Sequence, residues 1–360
     1  MIPYGRHEFD GTENAAVADV LRAAGSARSC GRVLGVRDLC SDRSAPRRCP
    51  LQRNRCFPAA AAACGIGHGS RVATSSLSFV ASANCARYVG ADVEFVDIDP
   101  NTLNMALEDV SPATDALVVV HYAGLPVDWQ RLAVRPAVVI EDAAHALGAA
   151  TPDGPVGNCA RSDVCVFSLH PVKSITSAEG GVATTNSDDA ARAMRAFRNG
   201  GMERRPGLDP WAYEIRRIGF NYRMSDVHAA IGGRRSSDSA ASSPAATRWP
   251  TDTAWAARRS PGDVGTANPQ SGTRHARHPS YSWTTAEPLS RTWCMHVVRR
   301  TVHYVLIHHQ PLYHRDGHGD APSMSVHTEA AYARLLSLPL YPSLTFTQQD
   351  VIAEALSEAT

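Results

Sequence analysis

The chain has 360 residues, 44% of them hydrophobic and 20% charged, with a formal net charge of +1. That length allows a large core and predicts one large domain plus a smaller one, and the near-zero charge gives no reason to expect nucleic acid or an acidic membrane as partner. The start, MIPYGRHEFDGTE, lacks the basic residues and apolar run of a secretory signal, and no apolar run approaches the roughly 18 residues that span a bilayer, so a soluble cytoplasmic protein is expected.

In chain order, residues 26–57 come first as an anomaly, with eight arginines, four cysteines and no periodic apolar face to define a helix or strand. Orderly sequence resumes at AAAAACGIGHG, where GIGHG (65–69) lacks the third glycine of a dinucleotide loop and predicts a turn. Four Val-rich runs follow: ADVEFVDID (91–99), DALVVVHYAG (115–124), PAVVIEDAAHA (136–146) and SDVCVFSLH (162–170). Each reads as a strand buried on both faces, and the helix-length stretches between them predict an α/β fold with a mostly parallel sheet. DDAARAMRAFRNGG (188–201) predicts a helix with a glycine stop.

Residues 233–294 then hold one Val, one Leu and no Ile or Phe in 62 positions, too little to build a core. Disordered Ser/Arg/Pro-rich insertions are one reading of both odd stretches. Translation out of frame from a GC-rich gene fits their Arg/Ala/Ser/Pro/Cys/Trp mixture better, and finding no compensating shifts in the coding DNA at their borders would sink it. In the tail, VHYVLIHHQPLYHRDGHGD (302–320), only His314 and His318 have i, i+4 spacing, and Asp316, Gly317 and Gly319 oppose a helix there. The nine cysteines include no C-x-x-C pair, so free thiols and no metal are expected.

Against 35 arginines the chain has a single lysine, Lys173, in VFSLHPVKSITSAEGG (166–181). An amine can lose its proton and attack a carbonyl, which a guanidinium cannot do. A lysine nucleophile of this kind commonly serves pyridoxal phosphate, whose ring nitrogen needs a carboxylate opposite it. Asp142, at a predicted strand end, suits that place; His145 is positioned for the ring hydroxyl or substrate, and Ser168 for the phosphate. Each also has a plainer reading: Asp142 as a helix cap, His145 as a satisfied core or surface group, Ser168 as a backbone partner.

VIEDAAHALGA, FSLHPVKSITSAEGGVATTN, GFNYRMSDVHAAIG (219–232) and SLPLYP (337–342), in this order, resemble the DegT-type sugar-nucleotide aminotransferases of the fold-type I pyridoxal-phosphate enzymes. The likeness covers residues 1–25, about 58–232 and about 296–360. It implies an aspartate-aminotransferase-like large domain (1–232, with 26–57 anomalous), the low-core segment 233–295, and the remnant of a smaller C-terminal α+β domain (296–360). IPYGR, SFVASANCARYVGADVEFVDIDP (78–100) and VHYVLIHHQPLY are most similar to the branch that aminates the 4-keto group of a UDP-linked 4-keto-6-deoxy-N-acetylhexosamine in pseudaminic acid synthesis.

Position by position, the resemblance implies that Lys173 binds the cofactor and carries protons, and that Asp142 pairs with its ring nitrogen. It puts His145 near the ring hydroxyl, Ser168 at the phosphate and Phe79 on the ring face. Asn221 is implied at the phosphate of a neighbouring subunit's cofactor, hence a homodimer with shared sites, and His303 and Tyr304 near the sugar nucleotide. L-glutamate is the implied amino donor, and a lysine at this place, where related sugar dehydratases have histidine, implies transamination. Family members carry an Asn-Ser-Ala-Thr-type phosphate turn where this chain has NRCFP (54–58), leaving Arg53 or Arg55 as the charge available there. The alternative is a non-catalytic or damaged-gene homologue on the same fold with weak or no cofactor binding.

Overall fold

The Val-rich runs form the strands they predict, and the chain's small residues let helices lie close against them. The computed structural model describes residue 9 and residues 11–22, 47–51, 55–204, 207, 209, 211–241, 282–285, 302–315, 325–339, 341 and 344–357. Arg53, the IPYGR start, the expected boundary near 296, and most of the two anomalous stretches lie outside the described residues.

Helix α1 (Thr12–Arg22) opens the described chain, followed by strand β1 (Arg47–Leu51) and helix α2 (Cys56–Ala63). Then come β2 (Arg71–Ser75), α3 (Ala81–Tyr88), β3 (Asp92–Val96), β4 (Ala116–Val120), β5 (Val138–Asp142), the small hairpin β6 (Ala150–Thr151) and β7 (Gly154–Pro155), β8 (Val164–Ser168) and β9 (Gly181–Thr185). Seven of these make one sheet in the order β1-β9-β8-β5-β4-β2-β3. The pairings β3–β2, β2–β4, β4–β5 and β5–β8 are parallel, and β8–β9 and β9–β1 antiparallel. The expected mostly parallel α/β sheet is therefore present, with an antiparallel margin.

Strand β1 corrects the reading of residues 26–57 as incapable of a strand. RRCPL pairs with β9 from Arg47↔Thr185 to Leu51↔Gly181, with Cys49 and Leu51 fully buried. Cysteine serves as a small apolar residue, and Pro50 is tolerated because β1 is an edge strand. Arg198 ties this edge down by donating to the Pro50 carbonyl. The next element, α2, is nearly all alanine after Phe57, and its buried Ala59, Ala60 and Ala61 belong to the same core cluster as Val166 and Ala183 of the sheet.

Helix α4 (Asp188–Phe197) starts at Ser187, whose hydroxyl accepts from the Ala190 N–H at 3.1 Å, and ends at Gly200 and Gly201, both with positive φ. GIGHG is a turn as expected, with Gly65 and Gly69 at positive φ. A two-residue pair, β10 (Met202–Glu203) and β11 (Glu214–Ile215), precedes helix α5 (Asp226–Ala241), which runs into the low-core segment. From the same segment, β12 (Ser282–Thr285) pairs antiparallel with β13 (Leu335–Leu338). Helices α6 (Pro311–Arg315), α7 (Val326–Arg334) and α8 (Phe346–Ser357) complete the described chain. A cluster of Leu77, Ile98, Leu103, Tyr122, Leu306 and Leu335 packs this C-terminal part against the strand ends of the sheet. Among the described residues no helix is long and apolar enough to cross a membrane, and the six cysteines there are free.

Candidate active site

Four parallel strands, β2, β4, β5 and β8, run out at the same edge of the sheet, and the residues just past their ends line one cleft. Ser78 and Phe79 follow β2, His121 and Tyr122 follow β4, Asp142 ends β5 with Ala144 and His145 beyond it, and Ser168 ends β8 with Lys173 five residues on. Phe57 of α2 and Tyr304 from the C-terminal part complete the walls. This is the crevice that a parallel sheet opens at the carboxyl ends of its strands.

Asp142 is 5% exposed. Its Oδ2 accepts from the Ser82 hydroxyl at 2.6 Å and its Oδ1 from the Ala144 N–H at 3.1 Å. Burial pushes its carboxyl pKa up, and the bonds from Ser82 and Ala144 and the charges of Lys173 and His121 oppose that only in part. A buried carboxylate in this condition gains most from a cationic N–H donor facing it. The neighbouring Glu141 is occupied by His121, whose Nε2 lies 2.8 Å from Oε2 while its Nδ1 accepts from the Val127 N–H, so Nε2 is left to donate.

Over the cleft, Phe79 and Tyr304 meet with ring centroids 5.3 Å apart. Tyr304 also stacks on His145, and its hydroxyl is 3.4 Å from His145 Nε2. Ser168 accepts from the His170 N–H at 3.4 Å, the backbone role anticipated as its plainer reading, while still lining the cleft. His303 is buried beside this group with Nδ1 2.8 Å from the Ser337 hydroxyl. Burial first, and then the charge of Lys173, push its pKa down to about 3.

Six of the eight residues singled out from sequence therefore converge on one cleft: Lys173, Asp142, His145, Ser168, Phe79 and Tyr304. His303 is buried next to the cleft-lining Tyr304, and Asn221 is exposed and is not among the residues that line the cleft. Sequence reasoning missed Ser82, which holds Asp142, and Tyr122, whose hydroxyl donates to the His303 carbonyl. Serines at 78 and 82, four apart where α3 begins and 2.9 Å apart across their hydroxyls, were the one available signal.

The donor set fits pyridoxal phosphate at the ring end: an amine, a buried carboxylate and an aromatic face in one cleft. The N-cap of α2, the helix that gives Phe57 to the cleft wall, is Arg55, which makes no side-chain cap bond. Its guanidinium lies 4.6 Å over the Tyr222 ring and donates to the Asn221 carbonyl.

Comparisons with known proteins agree with this architecture. The sequence profile of the DegT/DnrJ/EryC1/StrS aminotransferase family matches residues 57–240 and 264–357, entering the low-core segment from both sides. The chain is 31% identical to the spore coat polysaccharide biosynthesis protein SpsC of Bacillus subtilis over 320 residues, 82% of this chain and 80% of that one. It is 41% identical to GDP-perosamine synthase of Caulobacter vibrioides over 181 residues, which spans 47% of this chain and 46% of that protein. Among solved structures, the putative sugar aminotransferase Spr1654 from Streptococcus pneumoniae superposes with a TM-score of 0.83 at 22% identity, covering 100% of this chain and 99% of that one. Helicobacter pylori PseC, an aminotransferase of pseudaminic acid biosynthesis, superposes with a TM-score of 0.78 at 21% identity over 99% and 98% of the two chains.

Proposed function

Because the chain belongs to the DegT/DnrJ/EryC1/StrS family of pyridoxal-phosphate-dependent sugar aminotransferases, we propose that it moves the amino group of L-glutamate to the 4-keto group of a nucleotide-linked sugar. The substrate we propose is a UDP-linked 4-keto-6-deoxy-N-acetylhexosamine, aminated in the cytoplasm for a surface glycan of the pseudaminic acid type. The observation that carries the reading is the convergence of the sole lysine and the buried Asp142 on one aromatic-roofed cleft.

Pyridoxal phosphate, when bound, supplies a carbonyl carbon for amine exchange and an electron-withdrawing ring. Asp142, fixed by Ser82 and Ala144, offers its carboxylate to the ring nitrogen and holds a proton there. Lys173 supplies the amine that anchors the cofactor and then the base that shuttles a proton, a role worth roughly 10²- to 10⁴-fold in rate. Phe79 and Tyr304 cover the ring and keep water out, His145 faces the Tyr304 hydroxyl, and Ser168 serves the phosphate. Tyr304, backed by the buried His303, forms the wall offered to the sugar nucleotide.

A homodimer is part of the reading. Trp211, Tyr213, Ile215, Ile218 and Phe220 are 77, 54, 61, 84 and 46% exposed along one short stretch, an apolar row of the kind that a partner covers. Asn221 is the next residue, which supports its reaching the partner's cofactor phosphate. The 41% identity to GDP-perosamine synthase favours a second reading, in which the nucleotide is GDP.

The test is 2-oxoglutarate release by the cofactor-loaded protein given glutamate and either the UDP-linked N-acetyl sugar or a GDP-linked 4-keto-6-deoxyhexose, with the amino sugar identified by mass spectrometry. Higher kcat/KM for the UDP sugar supports the first reading and the reverse supports the second. Full cofactor loading with no 2-oxoglutarate from either would overturn both.

A further inference from the structure

Outside the cofactor cleft, three side chains with metal-ligating atoms meet at one point from two distant parts of the chain. His308 and His309 sit on the 3-10 turn Ile307–His309, and Glu329 in the first turn of α7. The Nε2 of His308 lies 2.8 Å and that of His309 2.6 Å from the same carboxylate oxygen, Oε1 of Glu329. All three ligand atoms fall within 4.8 Å of one another, the one such group among the described residues. The His308 side chain is 11% exposed, against 37% for His309 and 44% for Glu329, so the cluster is rooted in the protein and open on one side to solvent.

Both halves are held by residues that directly follow neighbouring strands. Ser76, just after β2, has its hydroxyl 2.5 Å from His308 Nδ1, accepts from the His308 N–H at 3.1 Å, and accepts the Ile307 N–H on its carbonyl at 3.1 Å. Asp97, just after β3, accepts from the N–H groups of His327 and Thr328 at 2.9 and 2.8 Å and from the Thr328 hydroxyl at 2.6 Å, which fixes the start of α7. An imidazole oriented through its second nitrogen is what metal-binding histidines generally show.

We propose that His308, His309 and Glu329 bind a divalent transition-metal ion, zinc being the best match, with the remaining position taken by water. Two imidazoles and a carboxylate are a known donor set for zinc with an open position, and they disfavour magnesium and calcium, which take oxygen ligands. Bonds of about 2.0–2.2 Å in tetrahedral array separate ligand atoms by roughly 3.3–3.5 Å. The exposed Glu329 carboxylate therefore needs to withdraw by less than about 1 Å from its present hydrogen-bonded place, within the freedom of one side-chain rotamer. The ion would cross-link the turn after Tyr304 to α7, and so brace the segment that roofs the cofactor cleft. The site stands apart from Lys173 and does not depend on the aminotransferase reading.

The experiment is a zinc titration of the full chain after chelator dialysis, in competition with a chromophoric chelator, for the wild type and for His309→Gln and Glu329→Gln. The expected result is one equivalent bound by the wild type and an affinity at least tenfold weaker in each variant, as loss of even an outer partner typically costs about 10- to 100-fold. Zinc should raise the thermal midpoint of the wild type and leave those of the variants unmoved. Cobalt(II) in its place should give a visible spectrum without the intense near-ultraviolet bands of thiolate ligation, which separates this site from any cysteine site without recourse to a variant. Absence of binding, equal binding by all three proteins, or a thiolate spectrum would overturn the proposal.

Discussion

His303 shows how one buried residue couples the site to stability. Burial and the charge of Lys173 bring its pKa down to about 3, from an ordinary value of 6.5. The folded protein thus holds this ring uncharged where the unfolded chain would protonate it. The unfolded state binds the extra proton between those two values, so stability is complete above about pH 6.5 and is lost as pH falls toward 3. Chemical denaturation of the cofactor-free protein should show its midpoint dropping across this range, and His303→Gln should flatten the fall; an unchanged pH slope would mean that the ring is already charged when folded. Asp142 is the opposite case at the same site, a carboxyl pushed up by burial and left in need of a cationic partner. That the single lysine and the strand-end aspartate would meet in one cleft was legible in the sequence because residue type alone restricted the roles open to them. Ser82, Tyr122 and the Glu329 partner of two histidines were not, because each depends on contacts 60, 181 and about 20 residues away in sequence.

Among the elements, the Val-rich strands were legible because a strand buried on both faces must be almost wholly apolar. Strand β1 was hidden: RRCPL has neither β-branched residues nor clear alternation, and its place comes from the free edge of β9. The junction after α4 is the element on which the apolar row depends. Gly200 N–H donates to the Phe220 carbonyl at 3.0 Å, Phe220 N–H to Phe197 at 2.7 Å and Tyr222 N–H to Arg198 at 2.9 Å, so the stretch ending at Tyr222 is laced to the end of the helix. Gly201 has φ +79°, and a Cβ there would run into the Arg217 carbonyl oxygen. Gly201→Ala should destabilise the protein by at least about 2 kcal/mol, measured by urea unfolding, since it combines left-handed strain with a clash against backbone. A change within about 0.5 kcal/mol would show that this lacing is not needed.

For the whole molecule, the exposed row from Trp211 to Phe220 is the surface on which the proposed homodimer would close. Ile218 is 84% exposed and Trp211 77%. On the proposed homodimer, Ile218→Glu should shift the sedimenting species from dimer to monomer and lower cofactor affinity with it, if Asn221 completes the neighbouring site. Dimerisation unaffected by Ile218→Glu and by Trp211→Glu would place the interface elsewhere.

Lys173 is proposed to lie in a working cofactor site although NRCFP stands where the resembled family carries its phosphate turn. Titration with pyridoxal phosphate, borohydride reduction and peptide mass mapping tests it directly, because apart from the α-amino group Lys173 is the chain's one primary amine. A visible absorption band, a single reduced adduct on the Lys173 peptide, and loss of both in Lys173→Arg are expected from that placement of Lys173. A folded protein that gives no band, or an adduct confined to the α-amino group, would contradict it.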